Sequence, residues 1–210
     1  MATSTPTARP RSKRQSDNTT APSAVALLTQ DHRDVEALFK KFEGLGKRAH
    51  KGREATVGKM IEALSKHAVI EEQVFYPEVR ARMTNLNDDV LEALEEHHVV
   101  KWTLSELEKM TSEDERYEAK VTVLMESVRH HVKEEEKGLF PQVRKALSRT
   151  ELEEMGEQLV AAKKAAPTRP HPRSPDTPPG NIVAAALTAP IDAAATVLGS
   201  AAGKIRDAAR

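Results

Sequence analysis

Cysteine is absent from all 210 residues, which removes disulfide scaffolds, thiolate-held zinc, iron–sulfur clusters and thiol catalysis from consideration. Aromatics make up only 3% of the chain, with one Trp, two Tyr and four Phe. A core must therefore be built mainly from Leu, Val, Ile, Met and Ala. No apolar run approaches the roughly 20 residues that cross a bilayer. The Ser-, Thr-, Pro- and Arg-rich start carries no apolar stretch of the kind a secretion signal needs. Charge of one sign is not in excess either, because 32 Lys and Arg balance 32 Asp and Glu. That balance argues against a protein that coats nucleic acid or anionic membrane. The expectation is a cytoplasmic protein with one helical domain and no nucleic-acid partner.

What is present is unevenly spread. Residues 1–22 carry four basic groups and one acid, and residues 166–210 carry five and three. The segment 23–165 between them is acidic, with 28 acids against 23 bases. The first 22 residues lack the apolar side chains that offset ordering entropy and are expected to be a disordered basic tail. Segment 23–165 is filled with Ala, Leu, Glu, Lys and Val, and proline occurs there only at Pro77 and Pro141. Its periodicity predicts helices near 23–43, 53–83, 88–110 and 113–147, with a short fifth near 151–165. Ser112-x-x-Glu115 and Thr150-x-x-Glu153 read as capping boxes for the last two. Short connections between helices of similar length imply an all-α, up-down-up-down antiparallel four-helix bundle. Six prolines crowd between Pro167 and Pro179, so 166–189 reads as a Pro-rich linker. The Ala-rich stretch 190–210 reads as a short helix with Pro190 at its start. Its stripe of Ile191, Leu198 and Ile205 suggests docking or self-association.

The acidic segment contains a repeat. His67-x-x-x-Glu71-Glu72 is followed by Pro77, and His131-x-x-x-Glu135-Glu136 by Pro141, each proline ten residues after its histidine. Asp31-His32 and Glu96-His97 match more loosely, each about one helix-plus-turn before its partner motif. Residues four apart share a helical face, so His67 lies beside Glu71 and His131 beside Glu135. Seven positions before the four histidines stand Val25, Met60, Val90 and Leu124. The histidines therefore lie on the apolar stripes of four helices.

Two carboxylates within one core repel each other and are costly unless a cation holds them. Neutral imidazoles do not offset that charge, whereas a pair of metal ions does, and this mix of nitrogen and oxygen suits iron or manganese. Gly138, at the position of Val74 in the other half, is expected on the ligand face, clearing space for a small diatomic or peroxide. Tyr76 and Trp102 are expected to pack in the bundle, and Met60 and Met125 in its core. Glu72 and Glu136 point away from their neighbours and read as supporting or surface residues. Glu36 reads as a surface partner of Lys40.

These paired motifs resemble the hemerythrin-like proteins, the HHE cation-binding family, over about residues 23–147. The resemblance implies a four-helix bundle around a non-haem centre of two iron ions, oxo- or hydroxo-bridged, with manganese as the alternative. It implies metal ligation by His32, His67, Glu71, His97, His131 and Glu135, the two glutamates bridging. His97 is preferred to His98 because it aligns with Val100, Leu104 and Leu107, whereas His98 aligns with Lys101. Oxygen-carrying hemerythrins bring a second histidine, four residues away, from the third helix, and an aspartate bridge from the last. Here Ala93 and Lys101 flank His97 and the acid is Glu135. The implied roles are accordingly sensing, storage or detoxification of oxygen species or nitric oxide. Oxidase or peroxidase chemistry, or a non-catalytic interaction module, are the alternatives.

Overall fold

Helix follows the sequence from Ser23 onward in the computed structural model, which describes residues 22–192. Four rods form the bundle. The first is α1 (Ala24–Glu43), whose N-terminus is capped by Ser23 accepting from the Ala26 N–H. The second is α2 (His50–Ile70), which runs through a π turn (Glu71–Phe75) into α3 (Tyr76–Arg82). The third is α4 (Asn87–Leu107). The fourth is α5 (Tyr117–Glu134), which runs through a second π turn (Glu135–Leu139) into α6 (Phe140–Ala146). α7 (Arg149–Ala165) follows and packs on α1 and α2. No strand occurs among the described residues, and no helix there is long and apolar enough to cross a membrane.

The order of buried residues along each rod establishes the direction of the bundle. One apolar cluster takes Val25 and Leu28 from the start of α1, Phe75 and Val79 from the end of the second rod, Val90 and Leu94 from the start of α4, and Phe140 and Val143 from the end of the fourth. A second cluster takes Val35 and Phe39, then Met60 and Leu64, then Val100 and Leu104, then Leu124 and Met125, from the opposite halves of the same rods. Successive rods thus run antiparallel. Between the two clusters lies a layer of buried histidines and carboxylates.

The π turns are where local chemistry departs from a plain helix. Proline at 77 and 141 has no N–H to give and clashes with the carbonyl four residues back, which here belongs to Gln73 and Lys137, inside the two turns. The chain widens to i→i+5 bonding, with the Tyr76 N–H on the Glu71 carbonyl and the Phe140 N–H on the Glu135 carbonyl. A widened turn forms ahead of each proline.

Several boundaries differ from the sequence reading. The fourth rod begins at Tyr117 rather than 113, because Ser112 is drawn away: its N–H and hydroxyl both donate to Glu54 Oε1 at 2.9 Å. The capping box of α7 uses Ser148 and Glu151, two residues before the expected pair. The C-terminal helix (α8) starts at 180, ten residues early, and contains Pro190 within it. The chain 167–179 before it is not a free linker but lies against the bundle beside Ser65 and Lys101. α8 buries Ala185 and exposes Ile182, Val183, Leu187 and Ile191. The basic tail expected over residues 1–22, save Pro22, and the stripe residues Leu198 and Ile205 lie outside the described residues.

Candidate metal centre

His32, His67, Glu71, His97, His131 and Glu135 come from four rods into the single polar layer, all 5% exposed or less. Their Nε2 atoms point inward in two pairs, His32 to His67 at 3.1 Å and His97 to His131 at 3.1 Å. Each glutamate stands between one member of each pair. Glu71 Oε2 is 3.1 Å from His67 and 3.4 Å from His97. Glu135 Oε2 is 3.2 Å from His32 and 3.5 Å from His131. Two sets of donor atoms result, His32, His67, Glu71 and Glu135 in one, and Glu71, His97 and His131 in the other.

The outer ring nitrogens decide which face of each imidazole carries a lone pair. His32 Nδ1 is 3.0 Å from Glu136, His97 Nδ1 3.1 Å from Glu72 and His131 Nδ1 2.7 Å from Glu96. His67 Nδ1 faces Asp31 at 3.7 Å. A carboxylate at hydrogen-bond distance from Nδ1 keeps the proton there, so the network assigns a bare Nε2 to His32, His97 and His131. Glu72 and Glu136 are thus outer partners of the histidines, as the sequence suggested. Two of these carboxylates are themselves neutralised: Lys101 Nζ donates to both oxygens of Glu72 at 2.9 and 3.0 Å, and Lys163 of α7 pairs with Asp31.

Electrostatics within the layer are those of a site made for cations. Burial lifts the Glu71 carboxyl well above its usual range, and the charge of Glu135 lifts it further. Burial acts on Glu135 in the same direction, but His131, His32 and His67 outweigh it and hold that carboxyl below its usual range. His67 is pulled down to about 4 by burial, and burial also lowers His97. For His131 burial is overcome by the Glu135 charge and the Glu96 hydrogen bond, and its pKa rises. Both oxygens of Glu71 and one of Glu135 have no hydrogen-bond partner. Facing lone pairs of imidazole and carboxylate at these distances repel one another, and each set of nitrogen and oxygen donors can hold one metal ion.

Tyr76 packs in the bundle as expected, in the first apolar cluster, and it also reaches the site. Its hydroxyl donates to Glu135 Oε1 at 2.9 Å and lies 3.4 Å from His97 Nε2. In an α-helix it would stand about 140° from Glu71 around the axis; the π turn brings it back over the site. Burial, with the charges of Glu135 and Glu71, pushes the phenol well above its ordinary value, so it stays protonated. The equivalent Phe140 lies parallel to the His32 ring, centroids 5.7 Å apart.

Other expectations change. Gly138 is exposed, not on the ligand face, because the second π turn rotates it outward; a Cβ there would meet nothing within 4 Å. Trp102 is 40% exposed, donates to His98 Nε2 at 3.0 Å and lies under Arg173. Glu36 pairs with Arg129 rather than Lys40. Met60 and Met125 are buried as expected. Sequence reasoning missed Asp31, Glu96, Lys101 and Lys163. Asp31 and Glu96, each next to a site histidine, and Lys101, four residues from one, had a signal; Lys163, contributed by a distant helix, had none.

Comparison with known proteins bears on the family and the fold. Residues 23–143 match the Hemerythrin HHE cation binding domain model. The chain is 31% identical over 168 residues to a hemerythrin-like protein of Schizosaccharomyces pombe, covering 79% of this chain and 81% of that one. It is 28% identical over 137 residues to a DNA nickase of Nostoc, covering 65% of this chain and 38% of that protein. The fold is that of a crystal structure of a hemerythrin HHE cation binding domain-containing protein from Mycobacterium kansasii, with a TM-score of 0.58 and 24% identity over 68% of this chain and 86% of that one. With a motif-bearing bundle, a converging donor set and this match, the chain belongs to the hemerythrin HHE cation-binding family.

Proposed function

We propose that the protein holds two iron ions between His32, His67, His97 and His131, bridged by Glu71 and Glu135, and that it binds oxygen species or nitric oxide there for sensing, storage or detoxification. The observation that carries this reading is the placing of each glutamate between histidines of both pairs, with three carboxylate oxygens left without hydrogen bonds. Iron held by this set would supply one-electron redox chemistry and a binding place for a small ligand. The chain's own residues do the rest. Glu72, Glu96 and Glu136 hold Nδ1 protons and aim Nε2 inward. The two apolar clusters keep bulk water from both sides of the layer. Elemental analysis of purified protein should find close to two irons per chain, and Glu71→Ala or Glu135→Ala should lose most of them. Retention of both metals by either variant would rule out bridging, and manganese in place of iron would correct the metal.

A second reading, a peroxidase acting on a dissolved small molecule, draws support from Tyr76. Its hydroxyl donates to Glu135 at 2.9 Å with His97 3.4 Å away, so a proton donor stands beside the donor set, where a general acid would act. Sustained peroxide breakdown by the iron-loaded protein, reduced in Tyr76→Phe, would favour this reading. A reversible ligand spectrum without turnover would favour the first.

A further inference from the structure

Glu96 does two things at once. Its Oε2 accepts from His131 Nδ1 at 2.7 Å inside the bundle, while its Oε1 faces outward to His130 Nε2 at 3.8 Å. His130 Nε2 is also 3.1 Å from Glu134 Oε1, one helical turn along α5. Glu96, His130 and Glu134 therefore offer one imidazole nitrogen and two carboxylate oxygens that lie within 4.8 Å of one another. His130 is 60% exposed at its side chain and Glu134 46%, so water can complete the coordination of an ion held there.

This cluster opens onto a route inward. A cleft of about 410 Å³ between α4 and the fourth rod is lined by Asp89, Glu92, Glu96 and Glu134 with Lys133 and Lys137 on one side, and it reaches His131 and Glu135. Glu135 is 2% exposed, and its Oε2 has no hydrogen-bond partner. A buried, unpartnered carboxylate oxygen thus belongs to a residue lining the same cleft. Gly138, without a Cβ, forms part of the wall. On the other side of the rod a cleft of about 530 Å³ reaches His32; it shares Lys133 and Lys137 with the first but adds Arg33, Lys40 and Arg129 against Glu36 and Glu136, so its excess is basic. A cleft with an excess of one sign of charge concentrates ions of the other. Cations are drawn to the acidic side, and the set of ligand atoms at its mouth suits a divalent first-row metal.

We propose that Glu96, His130 and Glu134 form a third, exposed divalent-cation site that loads metal into the buried pair through the acidic cleft. The loading role rests on the two-metal reading above; the surface site itself does not. Glu96 links the two because one of its oxygens belongs to the surface set while the other holds the Nδ1 of His131, a member of the buried set.

The test uses the full chain stripped of metal by chelation. Calorimetric titration with Co²⁺ should show tight equivalents followed by one weaker equivalent. The double variant His130→Ala/Glu134→Gln should lose the weaker equivalent alone, and both substitutions are at exposed positions that leave the core intact. Mixed with limiting Fe²⁺, the same variant should fill about tenfold more slowly, the lower end of what electrostatic focusing supplies. If the variant binds every equivalent that the parent binds, the surface site is refuted. If it loses the weak equivalent yet fills at the parent rate, the loading role is refuted. A parent that binds only the weak equivalent would overturn the buried pair and with it the loading role, while loss of that equivalent in the variant would still support the surface site.

Discussion

Tyr76 and Lys101 show how much a single side chain carries in the polar layer. Tyr76→Phe removes the hydrogen bond to Glu135 without changing the ring, which costs about 1 kcal/mol. The variant should keep its metal while the absorption of the loaded site shifts, a result read from elemental analysis beside a visible spectrum. Lys101 occupies a position where an oxygen-carrying relative would bring a second histidine, yet it is buried and turned to Glu72. Lys101→Met would strand a buried carboxylate, at a cost of roughly 3–5 kcal/mol. A chemical melt should show that loss, with much of it recovered when Glu72→Gln is added. Gly156 is constrained from outside its own helix: a Cβ there would lie 2.0 Å from the Pro22 carbonyl oxygen. Gly156→Ala should therefore loosen the packing of α7 on the start of α1, by about 1–3 kcal/mol.

Among the elements, the two π turns decide most. A widened turn changes the register of everything after it, so Tyr76 and Phe140 face the site while Gly138 leaves it. It also frees a backbone acceptor. The Glu72 carbonyl would bond to the N–H five residues on, but that residue is Pro77, and Asn181 of α8 donates to it instead at 2.9 Å. The Gln73 side chain answers by donating to the Asn181 carbonyl at 3.2 Å. Asn181→Ala should cost about 1–3 kcal/mol, the penalty for an unsatisfied buried acceptor, and hydrogen exchange should quicken in 71–76 ahead of the rest of the bundle. The repeat and the trailing prolines could be read in the sequence. The widened turns could not, because α and π turns draw on the same residues and only the proline hinted at a fault. The capping boxes near 112 and 150 failed for a related reason, since Ser112 and Glu151 had better partners nearby in space or in the preceding residues.

For the whole molecule, the charged layer between two apolar clusters should make stability depend on metal. Without cations, Glu71 must hold a proton or repel Glu135 across the core. Chelation should lower the melting temperature markedly, because a ligand present at 1,000 times its Kd adds about 4 kcal/mol of stability. An unchanged melting temperature after complete metal removal would contradict that coupling.

The sequence by itself determined the four rods, their antiparallel order and the six residues that meet at the centre. Apolar periodicity and His-x-x-x-Glu spacing are local patterns that helical geometry converts directly into faces. Tertiary structure alone decided that Tyr76 reaches Glu135, that lysines from α4 and α7 neutralise the outer carboxylates, and that α8 covers the first π turn. Those contacts join residues far apart in the chain, and a side chain's partner across such a gap is set by how the rods pack, which no local spacing records.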